Sequence, residues 1–289
     1  LAELGDYLFE LEFYNWGEPL LCKHIHTMVE EATARGISTT ISTNFSFPWD
    51  AARAERLVTS GLTVLGVSID GARQETYERY RVRGNLERVL ANCRLVAEAK
   101  RRLGSRTPRL VWEFHVFEHN VDDIARAREL ARELEMEISV DKGWTIGPEW
   151  APEGEWRFFD RPKPVRCPFL WGFGVVNNDG GVAPCCGTFF SDDDMGRVDE
   201  RTTFGAVWNA DRFRRARGFF RERAGDAAAR KLACFDCPQT IVWERWKAHR
   251  AAGKPRAAFD PGFSMNDVVN YFWSRRPGPP AKDTATRRA

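Results

Sequence analysis

ISTTISTNFSFPWDAARAERLVTSGLTVLGVSIDG, residues 37–71, decides the fold class. Ile37 to Thr43 is rich in β-branched residues, which suit a pleated, half-buried surface, and reads as a strand. Ala51 to Ser60 reads as a short helix that Trp49-Asp50 can start. Leu62 to Ile69 is mostly apolar and predicts a strand buried on both faces. A strand, a helix and a strand at this spacing make a βαβ unit, which requires a parallel sheet.

The same alternation continues on both sides. Upstream, Tyr7 to Phe13 alternates apolar and charged residues as a half-buried strand does, and Cys22 to Arg35 is helical up to Gly36. Downstream, Asn85 to Leu103 predicts a long amphipathic helix with Leu86, Val89, Leu90, Cys93, Leu95 and Val96 on or near one side. Arg109 to Phe117 and Glu137 to Asp141 read as strands, with a helix at Val121 to Leu134 between them. Five strands without a closing set predict an incomplete barrel or an open α/β sheet. No Gly-x-Gly-x-x-Gly follows any of these strands, which argues against a dinucleotide fold.

The texture changes near Gly147. Pro148 to Pro168 is rich in Pro, Trp and charge and reads as a linker or irregular cap. A cysteine module follows, with short strands at Phe173 to Asn177 and Val182, a helix at Phe204 to Arg223 and another at Ile241 to Ala252. Pro277 to Ala289 reads as a disordered tail. The expected domains are 1–147, 148–245 and a C-terminal helix and tail at 246–289.

Composition excludes some classes of function. Of the 289 residues, 43% are hydrophobic and 29% charged, ordinary values for a soluble globular protein. Lys plus Arg number 43 against 41 Asp plus Glu, a net charge of +2, so no global field draws nucleic acid or a membrane surface. The Arg-rich stretch Arg212 to Arg223 contains Glu222 and is flanked by Asp211 and Asp226, the pattern of a solvated helix face. The apolar runs are too short to cross a bilayer. Seven cysteines, an odd number, suit a metal in a reducing compartment better than a disulfide framework, and predict a cytoplasmic location.

Two features carry chemistry. The C-terminal ends of the strands, where parallel α/β proteins gather their sites, hold Asn15-Trp16-Gly17-Glu18-Pro19, Ser42-Thr43-Asn44, Ser68-Ile69-Asp70-Gly71 and His119-Asn120, all polar. The second feature is a spaced set of thiols: Cys167, then Cys185 or Cys186 after the turn Asn178-Asp179-Gly180-Gly181-Val182-Ala183-Pro184, then Cys234 and Cys237 ahead of Pro238. Two pairs from distant parts of a chain form a four-thiolate metal site, and on the cysteines alone zinc is the better reading. Cys22 and Cys93 fall at apolar helical positions and are expected in the core.

Together these motifs resemble the radical S-adenosylmethionine (SAM) superfamily over roughly residues 5 to 245. Asn15-Trp16-Gly17-Glu18-Pro19-Leu20 is similar to its Gly-Gly-Glu-Pro motif. Ser42-Thr43-Asn44 is similar to its Thr-Asn-Gly strand end, with Phe45 where glycine is usual. Ser68-Ile69-Asp70-Gly71, with Glu75-Thr76-Tyr77 and Tyr80-Arg81-Val82-Arg83-Gly84, resembles its fourth strand and next helix. Cys167 to Pro238 resembles a SPASM or twitch auxiliary iron–sulfur domain, the shorter twitch form above all, since no cysteine follows Cys237.

The resemblance implies a partial TIM-like (β/α) barrel followed by a small Cys-rich α+β domain. It implies SAM as cofactor, with Gly17 and Pro19 shaping a turn so that Glu18 meets the methionyl ammonium. It makes Thr43, Asn44, Ser68 and Asp70 candidates for the ribose, Arg81 or Arg83 for the carboxylate, and Asn120 for the adenine or methionine. One auxiliary [4Fe–4S] cluster is expected on Cys167, Cys185, Cys234 and Cys237, with Cys186 the alternative to Cys185. A C-x-x-x-C-x-x-C loop for the radical-generating [4Fe–4S] cluster is absent from these residues; the expectation is that it lies upstream of Leu1, and that without it SAM is not cleaved. The activity implied is a radical oxidoreductase or maturase. Its partners would be a small-molecule or peptide substrate and an electron donor such as flavodoxin or ferredoxin, with no nucleic acid and no membrane. The competing reading is a non-catalytic binding protein stabilised by zinc or an iron–sulfur cluster.

Overall fold

The computed structural model describes residues 1–143, 150, 152, 165–188, 190–221, 227–262 and 271. The chain divides into two compact units, Leu1–Phe158 and Phe159–Ala289. The boundary expected at 147/148, most of the linker to Pro168 and the tail at Pro277 to Ala289 lie outside the described residues.

The first unit is a five-stranded parallel sheet in which each strand pairs with the next: β1 (Glu10–Glu12), β2 (Ser38–Thr43), β3 (Val64–Ser68), β4 (Arg109–Val116) and β5 (Glu137–Lys142). The helices are α1 (Ile25–Ala34), α2 (Ala51–Thr59), α3 (Gln74–Tyr80), α4 (Leu86–Leu103) and α5 (Ile124–Glu133). Local chemistry sets several of their ends. The Asp50 carboxylate accepts from Arg53 N at 2.8 Å to start α2, and Asn85 accepts from Arg88 N at 2.8 Å to start α4. Gly104, at φ 61°, ends α4 in the left-handed conformation.

Some elements are shorter than the sequence predicts. The β1 ladder holds only Glu10–Glu12, although Ser38 N donates to Phe9 O and Phe13 N to Thr40 O at its ends. Tyr7 and Phe9 are exposed, so the alternation before Glu10 does not record burial. A 3₁₀ turn, Glu118–Asp123, occupies the start of the helix expected from Val121. Cys22 is exposed ahead of α1, not in the core, because the 3₁₀ turn Pro19–Leu21 ends beside it. Cys93 is buried as expected, and burial pushes its thiol up to about 12.

The helices pack on one face of this sheet. Ile41, Leu65, Val67, Leu110, Trp112, Phe114 and Val116 point into a single core with Val29, Leu57, Val89, Val96 and Leu130 from the helices. Trp112 is fully buried there and donates from Nε1 to Ile69 O at 2.7 Å. Side chains alternate along a strand, so the other face carries Glu12, Ser42, Gly66, Ser68, Glu113, His115, Ser139 and Asp141, joined by the register Ser42–Gly66, Ser68–Glu113, Glu113–Ser139 and His115–Asp141. β3 is buried on both faces as expected from Leu65 to Ser68, and its second face, at Gly66 and Ser68, is lined by polar neighbours.

The second unit holds a three-stranded antiparallel sheet, β6 (Val175–Val176), β7 (Gly181–Ala183) and β8 (Gly196–Arg197), the last of which the sequence did not predict. Gly180, at φ 88°, makes the β6–β7 turn. The helices are α6 (Phe169–Gly172), α7 (Phe204–Trp208), α8 (Asp211–Gly218) and α9 (Pro238–Ala251). The single helix expected from Phe204 breaks in two, because the first part ends at Asn209 and Ala210 takes an extended conformation before the second; residues 222–226 lie outside those described. α9 starts at Pro238 rather than Ile241, since proline's missing N–H costs nothing at the first helical position.

Arg217 donates to Leu170 O at 2.7 Å and Trp208 O at 2.9 Å while stacking over the Trp208 ring at 4.4 Å. This arginine of the basic stretch braces the unit's core. Among the described residues no helix is long and apolar enough to cross a membrane.

Candidate functional site

The strand-end residues form two hydrogen-bonded clusters in the first unit. In the first, Gly17 adopts φ 99°, a conformation that favours glycine, and turns the chain after β1. Pro19 opens the following 3₁₀ turn. The Glu18 carboxylate between them accepts from Leu20 N at 3.2 Å, Thr43 Oγ1 at 2.6 Å, Asn44 N at 2.9 Å and Asn44 Nδ2 at 2.6 Å. Four donors fill a carboxylate's usual capacity. Glu18 therefore ties the end of β2 to the turn after β1, and must release a donor to meet a ligand ammonium. Thr43 is buried and also accepts from Phe45 N at 3.0 Å, so its hydroxyl is spent inside the chain.

The second cluster centres on Asp70, which is fully buried. Its Oδ2 accepts from Arg81 Nε at 2.5 Å, and its Oδ1 from His115 N at 2.7 Å and His115 Nδ1 at 3.1 Å. Burial alone would raise the Asp70 pKa, but the His115 hydrogen bond and the Arg81 charge outweigh it and hold the carboxyl below its ordinary value. For His115 burial pulls downward, and the hydrogen bond and charge of Asp70 overcome it, leaving the imidazole raised. Asn120 is fully buried and braces the cluster: Nδ2 donates to Asp70 O at 3.0 Å and His115 O at 2.9 Å, and Oδ1 accepts from Phe117 N at 2.7 Å. Asp70 and Asn120, expected as ligand contacts, are thus engaged within the chain.

The geometry also separates the two arginines. Arg81, not Arg83, joins the buried network, and it does so through Nε alone. Its two terminal nitrogens make no hydrogen bond among the described residues. Tyr80, Phe117, His119 and Trp150 pack as an aromatic group beside it, with Tyr80 and Phe117 rings 4.4 Å apart.

Glu113 was missed by the sequence reading. Its Oε2 accepts from Ser42 Oγ at 2.7 Å and Ser68 Oγ at 3.1 Å. Ser68 thereby points at Glu113 on the open face. Burial first, then the charges of Glu12 and Glu113, raise the Tyr14 hydroxyl to about 12. A Cβ at Gly66 would lie 2.2 Å from Glu113 Oε1. That atom ends a flexible side chain, so Gly66→Ala is expected to swing the carboxylate off its two serines while changing stability by no more than about 1 kcal/mol. Urea denaturation checks this, and a loss above about 3 kcal/mol would show that the carboxylate is locked in place.

In the second unit the thiols of Cys167, Cys185, Cys234 and Cys237 neighbour one another and form no disulfide. Burial raises each of the four, and adjacent thiols raise each further; Cys237 reaches about 12. Cys185 feels Cys237, Cys186 and Cys167 and in turn acts on Cys234, whereas the exposed Cys186 acts on Cys167 and Cys185. Backbone amides face these sulfurs: Phe169 and Leu170 at Cys167, Gly187 at Cys185, Gln239 and Thr240 at Cys237. Cys237 also caps the N-terminus of α9, whose dipole favours a thiolate. Among the described residues no three His, Cys, Asp or Glu side chains are arranged to hold a single metal ion.

Comparison with known proteins defines the class. Residues 13–111 match the radical SAM superfamily, and residues 167–238 match the SPASM iron–sulfur cluster-binding domain. The chain carries a radical SAM domain followed by a SPASM domain, and these imply SAM and iron–sulfur clusters as cofactors. Among solved structures, Streptococcus suis SuiB bound to S-adenosylmethionine is 13% identical, with a TM-score of 0.55 over 78% of this chain and 59% of that one. A second SuiB structure gives 13% identity and a TM-score of 0.51 over 70% and 55%. A third, SuiB bound to precursor peptide SuiA, gives 15% identity and a TM-score of 0.37 over 46% and 28%. The chain thus spans less than two thirds of the SuiB chains. No curated protein matches the sequence.

Proposed function

We propose that the chain acts as a radical SAM oxidoreductase or maturase whose first unit is a partial (β/α) barrel. Radical SAM membership supports an enzyme. The observation that carries the reading is the open guanidinium edge of Arg81, anchored by buried Asp70 at the strand ends. A planar fork held from behind is pre-set for a carboxylate. SAM bound with a reduced [4Fe–4S] cluster would supply radical hydrogen abstraction from a substrate, and an auxiliary [4Fe–4S] cluster would supply electron transfer.

The chain's own residues would hold these groups as follows. Arg81 takes the cofactor carboxylate, and Glu18 exchanges one of its four donors for the ammonium. Asn44 and Ser68 are the polar side chains of the ribose set that are not fully enclosed. Cys167, Cys185, Cys234 and Cys237 hold the auxiliary cluster, with the backbone amides beside them donating toward its sulfur. The polar face carrying Glu113, Ser42 and Ser68 would meet hydrogen-bond donors of the substrate, a small molecule or a peptide such as SuiB binds. An electron donor of the flavodoxin or ferredoxin type and a cytoplasmic setting complete the reading.

The test is anaerobic reconstitution. This chain should take up about four iron and four sulfide, and the full-length protein with SAM and dithionite should release 5′-deoxyadenosine. Stoichiometric zinc without labile sulfide, and no cleavage of SAM, would return the competing view of a metal-stabilised binding protein.

A further inference from the structure

Asp70 stands between two cationic partners of different kinds. Arg81 is charged at every working pH, while His115 is charged only when protonated. Both reach the same buried carboxylate, Arg81 through Nε at 2.5 Å and His115 through Nδ1 at 3.1 Å. The Asp70 carboxylate needs a donor there, so the neutral ring keeps its hydrogen on Nδ1 and Nε2 is the basic nitrogen. Nε2 makes no hydrogen bond among the described residues, and the side chain is 32% exposed on the polar face of the sheet.

Other charges face the same ring. Glu113 lies two residues earlier on its own strand and face, and Asp141 lies beside it in register on β5. These carboxylates favour a protonated ring, and neither touches Arg81. Burial opposes protonation most, and Arg81 is the charged group that opposes it as well; its terminal nitrogens are the part of this network open to a ligand. A carboxylate placed on that edge offsets the guanidinium charge. The attraction of Asp70 for a proton on His115 is then countered by burial alone.

We propose that Arg81, Asp70 and His115 form a relay in which a ligand carboxylate docking on the open edge of Arg81 loads a proton onto Nε2 of His115. The ligand is the carboxylate of SAM, so the inference rests on the cofactor reading above. Occupancy of the cofactor site then sets the charge presented to the substrate. Filling the edge shifts the ring further from a base toward an N–H donor on the face that also carries Glu113. His115 acts here as a positioning and proton-holding residue.

Linkage makes this measurable without turnover, because a ligand that promotes protonation binds more tightly as pH falls and takes up a proton on binding. SAM is titrated calorimetrically into the anaerobically reconstituted full-length protein near neutral pH, in two buffers of different ionisation enthalpy. Net proton uptake is expected, with affinity strengthening as pH is lowered, and His115→Gln should abolish the uptake. Binding by the wild type without uptake, or uptake that survives in His115→Gln, overturns the relay alone. No binding of SAM overturns the cofactor reading on which it rests. A ligand-free arm does not depend on that variant folding: in Arg81→Gln, the ¹⁵N-histidine titration midpoint of His115 should move up relative to wild type. An unmoved midpoint overturns the relay.

Discussion

Cys234→Ala should lose most of the iron and sulfide that the reconstituted chain holds, taking about four of each toward zero together with the visible absorbance of the cluster. Cys234 lies close to Cys185, Cys237 and Cys167, and desolvation followed by these neighbours raises its pKa. Four thiolates in one low-dielectric pocket repel one another, and only a bound cation makes their ionised forms stable there. Removing one leaves an iron without its ligand. The adjacent pair gives a sharper contrast: Cys185→Ala should behave like Cys234→Ala, whereas Cys186→Ala should keep its iron, because Cys186 is exposed while burial and three neighbouring thiols act on Cys185. Iron and acid-labile sulfide assays read all three variants. Full iron content in Cys234→Ala would dismiss the four-cysteine assignment.

Asp70→Ala should destabilise the first unit by about 3–5 kcal/mol, the cost of leaving a buried ion pair half made. The variant strands the backbone N–H of His115 and removes the anchor of Arg81. The effect depends on pH in a determined direction. Asp70 is held below its ordinary value of 3.8, so its contribution is complete above that pH and is lost as pH falls through the lower folded value. His115 is raised above 6.5, so its contribution is complete below that pH and is lost as pH rises through the higher folded value. Wild type and variant should therefore differ most between 3.8 and 6.5, converge as Asp70 protonates in acid, and on the alkaline side lose only the His115 share of the difference, because Arg81 stays charged. Urea denaturation at a series of pH values measures this. A difference below about 1 kcal/mol throughout would mean that the network carries no stability.

The sequence discloses the sheet readily because local signals agree there. Asp50 and Asn85 are capping residues at the starts of α2 and α4, and Gly104 closes α4. The break between α7 and α8 is hidden, since Asn209 and Ala210 look like helix interior until Ala210 is seen in an extended conformation. In the site, residue types at the strand ends are visible but their partners are not. Asp70 could be named from its position after β3. That it is spent on an arginine eleven residues later and a histidine forty-five residues later is a fact of the fold. Glu113 and His115 had a readable signal: Val111, Glu113 and His115 alternate with Leu110, Trp112, Phe114 and Val116.

The strand order has a further consequence for how the polypeptide reaches this state. Each strand of the first unit lies beside its immediate successor in the chain, so no pairing waits for a distant segment to arrive. The sheet can lengthen one strand and crossover at a time as the chain leaves the ribosome, its ordered edge always the newest strand. The Asp70 network obeys the same schedule. Its carboxylate is made with β3, gains Arg81 soon afterwards, and acquires His115 only when β4 docks, so the last contact to form is the one that titrates.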